Sequence, residues 1–324
     1  MSPDLPGRLR AALDRALQGV PRKGLAERAA RTSEAYRAGK PSSGVIRGPD
    51  DALAYALTRL PATYAACATV LAEAARMAPG FAPRTLLDAG AGTGAASWAA
   101  AEVWPALSGI TWLDSSPPFL ALATRLASGG SAALKTAETR RGDLTAPGPW
   151  PTADLVVASY ALAEIAPDRQ DSTVAALWNA AEGILALVEP GTPAGYVRIL
   201  AARTALIAAG ATILAPCPHE AACPLTGEDW CHFSVRLPRS RDHRLAKDAV
   251  VPFEDERFSY LIAARPGIVV APRRPRILAP PKTAKPGIAL KLCGLGGEVE
   301  QRLVPRRDKP AYAVARRRDW GDTL

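Results

Sequence analysis

The amino-acid sequence predicts an α/β protein with a mostly parallel sheet, a helical N-terminal module and a small, cysteine-containing, β-rich C-terminal extension. Three observations support this prediction. Short apolar segments alternate with helical ones between residues 84 and 214, which is typical of a parallel sheet covered on both faces. Leucines recur at helical spacing within residues 1–80. After Pro216 the chain is rich in Cys, His, Pro and Arg, and beyond Pro266 its apolar runs are short.

The predicted elements divide the chain into three parts. A helical module covers residues 1–80 and is interrupted by a loop at 39–44. A sheet domain covers residues 81–265, includes a cysteine-rich insertion at 216–235, and has predicted strands at 84–89, 109–114, 134–138, 153–159, 184–189, 211–214 and 258–263. Helices are predicted from about residue 95, at 171–183 and at 196–209. A basic, β-rich extension covers residues 266–324, with an apolar run at 288–292.

Charge is distributed unevenly along the chain. The formal net charge is +9 over 324 residues, with +6 in residues 1–47, −7 in 48–231 and +10 in 232–324. Two basic ends around an acidic middle favour a nucleic-acid partner over the alternative of ordinary solubilising charge. The candidates for phosphate contacts flank the last predicted strand: Arg236, Arg239, Arg241, Arg244, Lys247, Arg273, Arg274, Arg276, Lys282 and Lys285. Trp230, Phe233, Tyr312 and Trp320 lie among them and are candidates for base stacking, with packing in the extension as the alternative.

Hydropathy and the N-terminus indicate where the protein works. No apolar run approaches the roughly 20 residues that a membrane helix needs, so no membrane partner is expected. The N-terminus carries arginines on an amphipathic pattern but has no apolar signal core. We therefore expect a cytoplasmic protein, with an organelle matrix as the alternative.

The segment from Leu86 to Gly94 reads Leu-Leu-Asp-Ala-Gly-Ala-Gly-Thr-Gly and joins a buried strand to a helix. An acid at Asp88 followed by Gly90, Gly92 and Gly94 lets the backbone turn sharply and approach a nucleotide-like ligand. The spacing differs from the dinucleotide fingerprint G-x-G-x-x-G. It resembles motif I of the class I S-adenosylmethionine methyltransferases, which implies their Rossmann-like fold and cofactor. A glycine turn in another kind of α/β domain is the alternative.

Further cofactor-binding candidates follow the other predicted strands. Ligands of open α/β sheets lie beyond the carboxyl ends of the strands. Asp114, after the second strand, can accept hydrogen bonds from both ribose hydroxyls, or can cap the next helix. Asp143 follows the third strand, where methyltransferases hold the adenine amine, although Gly142-Asp143 also suits a turn. Ser159 lies just past the fourth strand, where the methyl group and its acceptor would meet.

A catalytic signature is missing at that point. Enzymes that methylate exocyclic amines carry Asn or Asp followed by Pro-Pro and an aromatic residue, whereas this chain has Ala158-Ser159-Tyr160-Ala161. Cytosine C5 methylation needs a cysteine nucleophile, and Pro216-Cys217 is better explained by the cysteine cluster. Tyr160 is therefore the one catalytic candidate, and the sequence leaves open whether the protein is an enzyme.

Four cysteines are candidate metal ligands. Cys67 lies alone in a helical stretch and is interpreted as a core residue. The candidate ligands are Cys217, Cys223, Cys231 and Cys293. A chain without an export signal is expected in a reducing compartment, so disulfides are not expected. Four thiolates can hold zinc or an iron-sulfur cluster, and this spacing does not choose between them. His219 or His232 could replace one cysteine, and four unrelated buried or free cysteines are the alternative.

The chain also resembles a narrower family, the methyltransferase-like proteins associated with the mitochondrial small ribosomal subunit and their bacterial relatives. The resemblance covers about residue 40 to the end. It rests on Leu86 to Gly94, Pro216 to Leu225, Asp229 to Ser234, Phe253 to Leu261 and the basic tail from Arg316 to Asp322. It implies a 4Fe-4S cluster on Cys217, Cys223, Cys231 and Cys293. It also implies binding to the small ribosomal subunit through rRNA, a role in subunit assembly and translation, and no DNA partner. For the location, it makes the mitochondrial matrix the alternative to the cytoplasm.

Two other functions remain open at this point. One is an active rRNA methyltransferase in which Tyr160 or a nearby group positions the acceptor. The other is a zinc-stabilised methyltransferase of small molecules, for which two basic ends would serve no purpose.

Overall fold

The computed structural model describes residues 4–37, 44–146 and 150–324. Residues 39–43 of the predicted N-terminal loop lie outside the described residues. The helices are α1 Gly7–Leu17, α2 Arg22–Arg37, α3 Pro49–Thr58, α4 Leu60–Met77, α5 Ala95–Val103, α6 Pro117–Ala127, α7 Ala132–Lys135, α8 Pro167–Ala180, α9 Pro193–Ala208, α10 Arg241–Ala246 and α11 Lys309–Ala315. The strands are β1 Thr85–Ala89, β2 Gly109–Asp114, β3 Glu138–Arg141, β4 Ala153–Ser159, β5 Ala181–Pro190, β6 Thr212–Ala215, β7 Phe233–Pro238, β8 Phe253–Ala264, β9 Arg276–Ile277, β10 Lys282–Thr283, β11 Gly287–Cys293 and β12 Val299–Pro305.

The large sheet has the order β3-β2-β1-β4-β5-β8-β6, with β7 paired to β8. Strands β1 to β5 run parallel, whereas β8 runs antiparallel to β5, β6 and β7. The parallel part has the Rossmann order, which places a topological switch point between β1 and β4. The fold is therefore a Rossmann-like α/β fold with a mostly parallel sheet, as the sequence predicts. A ligand crevice is therefore expected where the carboxyl ends of β1 and β4 lie side by side.

Helices cover both faces of this sheet. One apolar core joins α1 to α7 to a face of the sheet, so the N-terminal helices pack on the same core as β1 and β2. A second core joins α8 and α9 to the opposite face. The central strands are buried on both faces, which explains their continuous apolar sequences. Among the described residues, no helix combines the length and apolar character needed to span a bilayer.

The small sheet is formed by β9, β10, β11 and β12, and its core includes Ile277, Leu290 and Leu292. Helix α11 packs on this core through Ala315. This sheet confirms the predicted β-rich extension. Because β11 ends at Cys293, the extension carries the fourth candidate ligand back towards the large sheet.

Most predicted strands are found, but the third is misplaced. The prediction of a strand at 134–138 is wrong, since Leu134 belongs to α7 and the strand begins at Glu138. The Ser131 hydroxyl accepts a hydrogen bond from the Leu134 backbone N–H and caps that short helix. Strand β3 is an exposed edge strand with the sequence Glu-Thr-Arg-Arg, so it lacks the apolar pattern that reveals a buried strand. Strand β7, inside the cysteine-rich region, was not predicted.

Candidate functional site

The glycine loop lies between β1 and α5, at the switch point of the sheet. Gly90, Gly92 and Gly94 all have positive φ angles, of 74°, 53° and 80°, which favour glycine. A Cβ at Gly90 would lie 2.9 Å from the Ala161 Cβ, whereas a Cβ at Gly92 would meet no atom within 4 Å. The loop is thus packed tightly against the end of β4 on one side and open beside Gly92.

Asp88 is fully buried beneath this loop. Its Oδ2 accepts hydrogen bonds from the Ser97 backbone N–H, at 3.1 Å, and from the Ser97 hydroxyl, at 2.7 Å. The indole of Trp112 donates to the same hydroxyl at 2.9 Å. Burial raises the pKa of Asp88 to about 7, although the Ser97 hydrogen bonds oppose the shift. Asp88 thus holds α5 against β1 and β2, and its Oδ1 has no hydrogen-bond partner among the residues that the structure describes.

Asp114 lies at the end of β2 and faces the glycine loop. Its Oδ2 accepts from the Gly92 backbone N–H and its Oδ1 from that of Ser116, each at 2.8 Å. Burial raises its pKa, and these backbone hydrogen bonds oppose the rise. Each carboxylate oxygen can accept more than one hydrogen bond. Asp114 therefore fixes the loop and retains acceptor capacity for a ligand hydroxyl.

Asp143 follows β3 in a turn. Its Oδ1 accepts from both the backbone N–H and the hydroxyl of Thr145, at 2.8 Å each. This local turn is the alternative that the sequence leaves open, so the geometry gives Asp143 a structural role and the adenine contact stays a prediction.

Ser159 is the last residue of β4, and Tyr160 follows it with its hydroxyl held by Glu256. Tyr160 has a φ of +58°, an unusual value for a residue other than glycine. Its hydroxyl donates to Glu256 Oε1 at 2.8 Å, and the same oxygen pairs with Arg59 at 3.2 Å. Burial raises the pKa of Tyr160 well above its usual range. The hydroxyl of the catalytic candidate is engaged in a partly buried network between the junction of α3 and α4 and strand β8.

The four candidate cysteine ligands line one cavity. Cys217, Cys223 and Cys231 come from the segment between β6 and β7, and Cys293 comes from the end of β11. All five cysteines of the chain are free thiols, and Cys67 lies elsewhere, buried in α4. The rest of the cavity wall is largely apolar and includes Ile199, Leu261 and Leu278.

Burial and mutual proximity disfavour thiolates in this cavity. Burial raises the pKa of Cys293 to about 12, and the neighbouring thiols Cys217 and Cys223 add to the rise. The pKa of Cys231 is raised well above its usual range by burial and then by the other three cysteines. A bound cation reverses this preference, because metal ligation requires and stabilises the thiolate.

Hydrogen-bonding groups surround the thiols. The Tyr196 hydroxyl lies 3.2 Å from Cys223 Sγ, and His219 Nε2 lies 3.3 Å from Cys293 Sγ. His232, the other histidine considered as a ligand, is stacked on Trp230 with ring centroids 5.0 Å apart and contacts Trp320 edge-on at 4.8 Å. Within the described ranges, no three His, Cys, Asp or Glu side chains form a group that could hold a single metal ion.

Sequence reasoning missed the groups that surround both sites. Nothing in the local sequence marks Arg59 or Glu256, because their pairing joins residues 197 positions apart. Arg203 could have been noticed, since it lies on the buried face of α9 in register with Tyr196, Ile199 and Leu206. An arginine on an apolar helix face needs an explanation.

The candidate phosphate contacts divide into paired and exposed residues. Arg276 is only 4% exposed and pairs with Glu73, so the prediction of a phosphate contact is wrong for this residue. Four others pair with carboxylates of the protein itself: Arg236 with Asp255, Arg239 and Lys247 with Glu254, and Arg273 with Glu220. Of the other candidates, Arg244 is partly buried, and Arg241, Arg274, Lys282 and Lys285 are exposed. Further exposed basic residues lie at the two ends of α11: Arg306, Arg307, Lys309, Arg316, Arg317 and Arg318.

The aromatic candidates are mostly engaged in packing. Phe233 is 3% exposed, so it is not available to stack on a base. Trp320 packs on Phe233 and His232, and Tyr312 lies beneath the guanidinium of Arg306. Tyr312 thus packs within the extension, Trp320 packs on Phe233, and Phe233 itself packs on Phe258 and Tyr260 of the large sheet.

Comparisons with known proteins identify relatives over most of the chain. The family model described as "Mitochondrial small ribosomal subunit Rsm22" matches residues 49–324. The human mitochondrial ribosome assembly protein METTL17 is 31% identical over 296 residues, which cover 84% of this chain and 62% of that protein. The Rsm22-cox11 tandem protein 2 of Schizosaccharomyces pombe, also mitochondrial, is 27% identical over 220 residues, 52% of this chain and 28% of that protein. The chain thus spans less than two thirds of the length of these curated relatives.

Solved structures with related folds are more distant. Magnesium protoporphyrin IX methyltransferase from Synechocystis, with bound S-adenosylmethionine, has 16% identity and a TM-score of 0.40, covering 67% of this chain and 83% of that one. Precorrin-6y C5,15-methyltransferase from Geobacter metallireducens has 16% identity and a TM-score of 0.39, covering 61% and 86%. Similarity at this level gives no information about what this chain binds.

Proposed function

The chain belongs to the Rsm22 family of the mitochondrial small ribosomal subunit, and we propose that it binds S-adenosylmethionine and a 4Fe-4S cluster and assists assembly of the small ribosomal subunit through contacts with rRNA. The observation that carries the proposal is the convergence of Cys217, Cys223, Cys231 and Cys293 on one cavity. A role in subunit assembly is supported by the names of the family and of its human member. Those relatives are mitochondrial by name, so they support the mitochondrial matrix and give no support to the cytoplasmic expectation.

The donor set of the cavity fits a cluster. Four cysteine thiolates are the usual ligands of a 4Fe-4S cluster, in which each sulfur binds a different iron. A single zinc ion needs its ligands converged at about 2.3 Å from one point. The four thiols around this shared cavity match the ligand set of the cluster, with zinc as the alternative that four thiolates also bind. When bound, the cluster would supply a rigid anionic centre that ties β11 to the segment between β6 and β7.

The crevice beside the glycine loop is the proposed place of S-adenosylmethionine. Gly90, Gly92 and Gly94 would let the backbone approach the ligand, Asp114 would accept from the ribose hydroxyls, and Asp143 from the adenine amine. Ser159 would lie near the methyl group. No observation favours methyl transfer in particular, because the Tyr160 hydroxyl is engaged by Glu256.

The proposed rRNA contact is the exposed basic surface around α11, called here the α11 surface: Arg306, Arg307, Lys309, Arg316, Arg317 and Arg318. These side chains are solvent-exposed and can neutralise phosphates. The cysteine cavity lies at the junction between this extension and the large sheet, so a cluster there would fix the orientation of the α11 surface.

Anaerobic purification and gradient fractionation test the proposal together. We expect the purified full-length chain to contain iron and labile sulfide in preference to zinc, and to sediment with small-subunit precursors in a sucrose gradient of cell extract. Reversing charge at Arg316, Arg317 and Arg318 to Glu should remove the co-sedimentation. The matched control, the same reversal at the exposed residues Arg140, Arg141 and Arg169, should not. Persistent absence of the wild-type chain from small-subunit precursors would overturn the proposed role.

A further inference from the structure

Arg203 is a buried cation beside the cysteine cavity. The residue is 4% exposed, and one of its terminal nitrogens donates to the carbonyls of His219 and Ala221, at 2.8 Å each. These hydrogen bonds hold the guanidinium to the segment that carries Cys217 and Cys223. Its Nε is buried and makes no well-aligned hydrogen bond to the residues that the structure describes. The guanidinium nevertheless lies close enough to the Cys217 thiol to oppose the rise in pKa that burial causes there. A buried donor without a well-aligned acceptor costs free energy, and a thiolate or cluster sulfur in the cavity would be a stronger acceptor for it than the neutral thiol.

Tyr196 is a second polar side chain that lines this cavity. Arg203 and Tyr196 lie two helical turns apart on the buried face of α9, and both line the cavity with the four cysteines. The Tyr196 hydroxyl is already within hydrogen-bond distance of Cys223 Sγ, at 3.2 Å. A thiolate accepts hydrogen bonds and does not donate them, so Tyr196 must be the donor once Cys223 is a ligand. Helix α9 therefore presents a hydrogen-bond donor, Tyr196, and a cation, Arg203, to the same cysteine cavity.

We propose that Arg203 and Tyr196 raise the reduction potential of the cluster: the Nε–H of Arg203 donates to the cluster or to one of its cysteine sulfurs, and Tyr196 donates to Cys223 Sγ. This inference rests on the cluster proposed above. Net charge and hydrogen bonds to sulfur are the means by which proteins set cluster potentials. The reduced cluster carries one more negative charge than the oxidised one, so a nearby cation and donated hydrogen bonds stabilise it more.

The test is a redox titration of the anaerobically purified full-length chain, with dithionite as the one-electron reductant and electron paramagnetic resonance as the readout. Arg203→Gln removes the charge and keeps a polar side chain, so its midpoint potential should be more negative than that of the wild type. Arg203→Lys should restore part of the difference. Tyr196→Phe should shift the potential less, in the same direction. The control, Arg169→Gln, changes an exposed arginine on α8 and should leave the potential unchanged.

The outcomes separate this inference from the proposed function. A wild-type chain without iron and sulfide would remove the cluster itself. An Arg203→Gln protein with wild-type iron content and an unchanged potential would overturn the inference and leave the cluster in place, as would a wild-type cluster that dithionite does not reduce. If Arg203→Gln does not retain iron, the midpoint potential of Tyr196→Phe is compared with that of the wild type instead. An unchanged potential in that variant overturns the inference.

Discussion

The glycine crevice and the cysteine cavity differ in how their polar groups are satisfied. In the crevice, the carboxylates of Asp88 and Asp114 accept hydrogen bonds from the protein itself, and the loop backbone is held in place. In the cavity, thiols with raised pKa values face a guanidinium whose Nε makes no well-aligned hydrogen bond to the described residues. The crevice is thus organised largely by its own hydrogen bonds, with Asp88 Oδ1 as the exception among the described residues. The cavity instead gathers neutral thiols around a buried guanidinium.

The difference shows two ways to build a binding site. A site made of backbone and short-range hydrogen bonds holds its shape before its ligand arrives. A site made of converging thiols depends on its ligand for stability, because metal binding and folding are coupled. Mutations should therefore affect the two regions through different observables.

The largest expected effect is in the cavity. Replacing Cys231 by alanine removes one of the four thiols that line the cavity, and we expect loss of nearly all bound iron together with a lower melting temperature of the anaerobically purified protein. Cys67→Ala is the matched control, since Cys67 is a buried thiol outside the cavity, and it should retain the iron. Equal iron in both variants would contradict the assignment of the cavity.

The next effect concerns Asp88. Its folded-state pKa of about 7 lies above the ordinary value of 3.8, so the folded protein holds a proton that the unfolded chain releases between about pH 4 and pH 7. The free energy of unfolding contributed by this group therefore falls as the pH rises through that window, by up to about 1.4 kcal/mol per pH unit. Asp88→Asn abolishes this slope. When urea unfolding is measured across this pH window, the free energy of unfolding of the variant should rise relative to that of the wild type as the pH rises. For the exposed control Asp168→Asn, the plot of the free energy of unfolding against pH should be parallel to that of the wild type. A parallel plot for Asp88→Asn would refute the prediction.

A smaller effect separates two glycines of one loop. Alanine at Gly90 or Gly92 adopts a left-handed conformation at a cost of roughly 1–2 kcal/mol. At Gly90 the new methyl group also lies 2.9 Å from the Ala161 Cβ, which adds about 1–3 kcal/mol of overpacking. Gly92→Ala lacks this second cost, since no atom lies within 4 Å. In denaturant unfolding, Gly90→Ala should therefore have a lower free energy of unfolding than Gly92→Ala. Equal values would disprove the tight packing of the crevice.

The smallest effect is at Tyr160. Phenylalanine at this position removes the hydrogen bond to Glu256, which should lower the free energy of unfolding by about 1–2 kcal/mol while leaving Arg59 paired. Because the hydroxyl faces Glu256, affinity for S-adenosylmethionine measured by calorimetry should not change. A marked loss of affinity would instead place this hydroxyl in the crevice and reopen a catalytic role.

Much of the fold can be predicted from the sequence because its signals are local. Strands β1, β2, β4 and β5 are continuous apolar segments, and the glycine loop after β1 is a contiguous motif with a fixed conformational requirement. Strand β3 escaped prediction because an exposed edge strand carries no apolar pattern. Strand β7 escaped because its sequence lies among cysteines and arginines, and only pairing with β8 makes it a strand.

The sequence by itself determined the methyltransferase fold, the place of the glycine loop and the identity of the four cysteines that share a cavity. Only the tertiary structure decided which charged groups meet. It paired Arg276 with Glu73 inside the protein, directed the Tyr160 hydroxyl to Glu256 and brought Arg203 to the thiols. The physical reason is range: strand patterns and glycine turns depend on neighbouring residues, whereas ion pairs and buried donors depend on contacts between segments far apart in the chain.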